Sequence, residues 1–146
     1  MEIIFYRAKC GYWKDKAISW WTWGPYSHSE IRFNNGQCIS SSPREGQVRF
    51  KDINIIPEHW NIINLPFEET PELKAFCDSQ IGKKYDWLGI LGFAMFKEYD
   101  AGINHHNQWY CSEICAEILR LLGWVDIPYK VSPNKLFKLV MTKIDS

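Results

Sequence analysis

Several things are missing from this sequence, and each absence closes a class of function. No apolar run reaches the roughly 18 residues that a membrane-crossing helix needs, so no span and no stable membrane anchor are expected. Neither sign of charge is in excess: Lys and Arg number 17, Asp and Glu 17. Without a basic surplus there is no general case for nucleic acid or an anionic lipid surface as partner. No basic stretch followed by an apolar one opens the chain. A signal peptide is therefore not expected, and a cytoplasmic location is. Glycine-rich phosphate loops, repeats, low-complexity stretches and interdomain linkers are also missing. The 146 residues read as one domain, 1–146, large enough for a proper core. Cysteines are odd in number, at Cys10, Cys38, Cys77, Cys111 and Cys115. A chain of this length does not need disulfide staples, so a reduced compartment is the simpler reading. His105, His106, Cys111 and Cys115 match no compact zinc spacing, and no metal or other cofactor is expected.

Aromatic residues are abundant instead. They make up 16% of the chain and include eight Trp, more than a small core requires. Some are expected to line a groove or surface. Trp20, Trp21 and Trp23 read first as packing, with Trp21 also a candidate contact in a substrate groove.

The pattern along the chain is α+β. Strands are expected at residues 2–7, 25–33, 37–42, 47–51 and 60–65, from β-branched and aromatic runs bounded by turn residues. Asn34-Asn35-Gly36 marks a hairpin, since Asn and Gly accept positive φ. Pro43-Arg44-Glu45-Gly46 turns the chain again. These runs give a five-stranded, mainly antiparallel sheet or partial barrel packed against helices. A short helix is expected over 15–22. Others start at Thr70-Pro71, at Asp86 (running through Phe96), at Cys111–Ser112 and at Ser132-Pro133, the last running through Leu139. Residues 97–108 read as a polar loop.

The chemistry gathers at Trp109-Tyr110-Cys111-Ser112-Glu113. Ile114, Ile118, Leu121 and Leu122 recur as one helical face, and Gly123 is a natural stop. Cys111 then sits at the helix N-terminus, where unpaired N–H groups and the macrodipole favour a thiolate. Cys115, one turn below, reads as a small buried residue. His28 lies on the second strand. A helix-start cysteine and a strand histidine are the nucleophile and general base of a papain-like hydrolase. A third polar group should hold the imidazole. Counting across the hairpin selects Ser40, with Ser42 and Glu45 as fallbacks. Glu30 shares the face of His28 and could replace Ser40, although a carboxylate there is expected to face solvent. The oxyanion hole is assigned to the backbone N–H of Cys111, joined by a Tyr6 or Tyr110 hydroxyl.

Four segments occur in order: Trp20-Trp21-Thr22-x-x-Pro25-Tyr26-Ser27-His28-Ser29-Glu30, Ser40-Ser41-Ser42-Pro43-Arg44-Glu45-Gly46-x-Val48-Arg49, Gly82-x-x-Tyr85-Asp86-Trp87-x-Gly89, and Trp109-x-Cys111-Ser112-Glu113. Together they resemble the circularly permuted branch of the NlpC-like papain fold, especially its small phage-encoded members. In that branch the histidine precedes the cysteine, as here. The resemblance covers roughly residues 1–140. It implies Cys111 as nucleophile, His28 as base, and a third residue at about Ser40, where many relatives carry His or Glu. It implies cleavage of an amide or peptide bond, with bacterial cell-wall stem peptides, and so peptidoglycan, as the nearest substrate. A phage-encoded enzyme would reach such a target by a route other than a signal peptide. Other permuted relatives are lipid acyl hydrolases or acyltransferases similar to lecithin-retinol acyltransferase. A thioester or lipid ester is therefore the second expectation. A non-catalytic module holding a peptide or protein in a tryptophan-rich groove is the third.

Overall fold

The computed structural model describes residues 1–10, 24–88 and 108–146. The helix expected over 15–22, Trp21 with its neighbours, and most of the stretch expected as helix and loop between Asp86 and Gln108 lie outside them. In chain order the strands are β1 (Glu2–Arg7), β2 (Tyr26–Arg32), β3 (Gln37–Ser42), β4 (Gln47–Asp52), β5 (Trp60–Asn64), β6 (Lys84–Tyr85) and β7 (Gln108–Trp109). The helices are α1 (Pro71–Gln80), α2 (Cys111–Leu121) and α3 (Pro133–Ile144). The class is α+β, with one mixed sheet in the order β5-β1-β2-β3-β4-β6-β7.

All five strands expected from the sequence are present. The sheet is nevertheless seven-stranded, because β6 and β7 add a parallel pair beyond β4. Each is only two residues long, too short to show an alternation of side chains. The turn at Asn34-Asn35-Gly36 closes as expected. Phe33 N–H donates to the Gln37 carbonyl, and Gly36 takes φ 88°. The Thr70 hydroxyl caps α1 by accepting from Leu73 N–H at 3.1 Å. α3 runs a full turn past Leu139, to Ile144.

Alternation along β1 separates the two faces of the sheet. Ile3 and Phe5 join Ile31 and Ile39 beneath Ile114, Ile118 and Leu119 of α2 and Leu136 and Val140 of α3. On the opposite face, Ile4, Cys38 and Trp60 form a smaller apolar cluster. Burying each large aliphatic side chain contributes roughly 1.5–3 kcal/mol, so α2 is fixed mainly by its apolar stripe.

Two straps then place the ends that matter. Asn134, at the start of α3, accepts from Tyr26 N–H at 2.8 Å and donates to the Tyr26 carbonyl at 3.0 Å. This clamps the beginning of β2. Gly24 makes room for the clamp: a Cβ there would lie 2.3 Å from Asn134 Oδ1. At the start of α2, the Ser112 hydroxyl donates to the Val131 carbonyl at 2.5 Å. Val131 N–H in turn donates to the Tyr110 hydroxyl at 3.0 Å.

Candidate active site

β2 and β3 are paired at Ile31↔Ile39 and Arg32↔Cys38, and there the ladder ends. Towards Tyr26 the two strands part. On the other side of β2, its register with β1 slips between Tyr6 and Arg7. A slip of this kind bends a strand and re-aims its side chains. α2 packs on β2 and β3, and its first residue, Cys111, meets β2 where the two strands have separated.

Four groups make this site. The Cys111 thiol is buried, and it and the His28 imidazole lie near enough for each to shift the other's titration. The backbone N–H groups of Ser29 and Ser112 also favour the thiolate form of the sulfur. His28 Nε2 is 2.9 Å from Glu30 Oε1, which leaves Nδ1 for the thiol. Glu30 is 1% exposed, and both its oxygens are also held by Arg49: Nη1 to Oε2 and Nη2 to Oε1, each at 2.8 Å.

Charge follows from this arrangement. Burial alone would push the imidazole down, but the Cys111 sulfur and the Glu30 carboxylate lift it, to about 10. Burial alone would push the thiol up, but the imidazolium and the two N–H donors bring it below its ordinary value. Glu30 is held low by His28 and Arg49 against its own desolvation. Both shifts act in the same direction, favouring the proton on His28 over the proton on Cys111.

Cys111 and His28 are thus brought together as expected, but Ser40 does not hold the imidazole. Its hydroxyl donates to the Ser29 carbonyl at 2.7 Å. The physical reason is the parting of the strands. The ladder stops short of Ser29, and the nearby hydroxyl satisfies its buried carbonyl. Ser42 and Glu45 are also engaged elsewhere. Ser42 accepts from Arg44 N–H at 3.2 Å, and Glu45 pairs with Lys51 at 2.7 Å. The imidazole partner is Glu30, buried rather than solvent-facing as expected. Arg49 went unassigned, although a signal for it existed. Continuing the β2–β3 register sets Ser40 opposite Glu30, and Arg49 pairs with Ser40. The small serine lets the long arginine reach across to Glu30.

The two tyrosines offered for the oxyanion hole both have structural bonds. The Tyr110 hydroxyl accepts from Val131, and the Tyr6 hydroxyl donates to the Cys10 carbonyl at 3.0 Å. The backbone N–H of Cys111 lies in the first turn of α2, where N–H groups have no partner within the helix. A groove of about 250 Å³ opens beside His28, with Tyr6, Trp60, Ile53, Arg44 and Lys51 in its lining. Ser27 also lines it. That side chain is 5% exposed, and its hydroxyl has no partner among the described residues.

Among the described residues no cluster of three or more His, Cys, Asp or Glu could hold a metal, and the five described cysteines are free thiols. His105 and His106 lie outside the described residues. No helix among the described residues is long and apolar enough to cross a membrane. No protein-family model, no curated protein and no solved structure matches the chain.

Proposed function

We propose that this chain is a thiol hydrolase of the permuted NlpC-like type that cleaves an amide or peptide bond. The carrying observation is a buried thiol at a helix start, against an imidazole whose other nitrogen is held by a buried carboxylate. The Cys111 thiolate attacks the carbonyl carbon and forms a C–S bond. The Cys111 N–H stabilises the resulting oxyanion. The His28 imidazolium gives its proton to the leaving nitrogen as the C–N bond breaks, leaving a thioester. Neutral His28 then takes a proton from water, whose oxygen attacks the thioester. The C–S bond breaks, the acid leaves, and the thiolate–imidazolium pair is restored. Glu30 holds the imidazole in its tautomer and supports its charge.

The groove beside His28 would receive the substrate. Bacterial cell-wall peptides are the proposed substrate class and the cytoplasm the proposed site of synthesis. The apolar side chains of Tyr6, Trp60 and Ile53 in the groove lining favour one second reading, a thioester or lipid ester cleaved by the same pair. The test is incubation with peptidoglycan stem fragments and, in parallel, with acyl thioesters, product mass being read by mass spectrometry. New amine ends from the peptides, lost in Cys111→Ser, support the amide reading. Thioester turnover alone transfers the proposal to the second reading. No turnover of either class by a wild type with a reactive Cys111 removes both.

A further inference from the structure

Glu30 poses a problem that His28 alone does not solve. A buried carboxylate beside a buried imidazole can take the shared proton and leave a neutral pair. His28 would then lose its charge, and Cys111 its counter-ion. Arg49 lies on the far side of Glu30 and donates to both oxygens. Its own side chain is only 12% exposed. A two-pronged buried contact of this kind fixes both charge and orientation.

We propose that Arg49 is a positioning residue: its grip on Glu30 keeps that carboxylate ionised and aimed at His28, and so holds the proton on the imidazole and off Cys111. The inference rests on the hydrolase reading and deepens it. The neighbouring groups are consistent with a single chain of alternating charge from Cys111 through His28, Glu30 and Arg49. Glu45 approaches Arg49 Nε at 3.6 Å and extends that chain by one anion. Cys38 on β3 is pushed up by burial to about 12 and stays neutral. Tyr85, Tyr110 and Cys115, which lie near Cys111, are all raised by burial and keep their protons. Arg49 also borders the groove, so a direct substrate contact is the competing role.

The test follows the pH midpoint of Cys111 alkylation by iodoacetamide, with kcat and KM, in the wild type, Arg49→Met, Arg49→Lys, Glu30→Gln and the Glu30→Gln/Arg49→Met double variant. Arg49→Met should raise the midpoint by about one pH unit and lower kcat about tenfold at unchanged KM. Lysine keeps the charge but not the two-pronged contact, and should lie between. In the Glu30→Gln background, removing Arg49 should move the midpoint far less, because its lever is gone. An unmoved midpoint in Arg49→Met, an equal shift in both backgrounds, or a rise in KM alone would overturn the inference. Breaking one side of a buried pair can unfold a protein, whereas removing both charges is often tolerated. If Arg49→Met does not fold, Arg49→Lys and the double variant decide. A folded Arg49→Lys with the wild-type midpoint overturns the proposal. So does a double variant that departs from Glu30→Gln by about a full unit. An ordinary thiol midpoint in the wild type would instead remove the hydrolase reading itself.

Discussion

The first and second turns of α2 each carry a buried cysteine, and the two thiols are driven in opposite directions. Burial opposes the thiolate at both Cys111 and Cys115. At Cys111 the His28 imidazolium and two backbone N–H groups overcome it. At Cys115 no charged ring faces the sulfur, and the thiol stays well above its ordinary range. The helix supplies the backbone of both positions, so the helix alone does not make a nucleophile. The difference comes from β2, which presents a charged ring to one turn and none to the next.

The largest expected effect breaks that contrast at its source. Cys111→Ala should lower kcat by roughly a million-fold, whereas Cys115→Ala should leave it within a few-fold of wild type. Steady-state hydrolysis of the substrate found in the product-mass experiment measures both. Comparable losses in the two variants would erase the distinction between the turns. Next in size is the orienting role. Glu30→Gln keeps the shape but weakens the hold on the imidazolium, and should cost up to about ten-thousand-fold in kcat. Ser40→Ala should cost about 1 kcal/mol in stability through its lost bond to Ser29, with little change in kcat. Equal kinetic losses would return Ser40 to the catalytic set.

A third prediction concerns another group of the first turn. Burial raises the Glu113 carboxyl to about 7, against a bond from Tyr110 N–H and aided by nearby Asp86. The folded state therefore holds this proton more tightly than the unfolded chain does. The associated stability is present below the ordinary value of 4.5 and is lost as pH rises through about 7. Glu113→Gln should remove that slope, visible as a Tm that falls less than wild type between those pH values. Parallel Tm curves would contradict it. Smallest is Cys115→Ala, expected to lose about 1 kcal/mol in urea unfolding from the small cavity left in the core.

Local signals carried much of the fold. The Asn-Asn-Gly turn, the Thr70 and Ser132 caps and the β-branched and aromatic run of β1 each depend on a few adjacent residues. They placed the five longer strands and the three described helices. β6 and β7 were invisible because two residues carry no period and the pairing partners are distant in sequence. Cys111 and His28 were legible because their residue types are unusual at a helix start and on a strand. Glu30 was misjudged because a carboxylate on a strand is ordinarily solvated, and its burial depends on Arg49 two strands away. Ser40 was chosen by counting across the hairpin as if the ladder continued. Whether β2 and β3 remain paired at that point is a tertiary matter, and it decided where the hydroxyl went.

One measurement tests the central claim most directly: the ultraviolet thiolate absorbance of wild type minus Cys111→Ala, titrated with pH and repeated in the His28→Ala background. The account predicts a Cys111 thiolate already present at about pH 6, well below the ordinary thiol range, and its disappearance at that pH without His28. A difference spectrum that stays empty until about pH 8, or one that His28→Ala leaves unchanged, would contradict it.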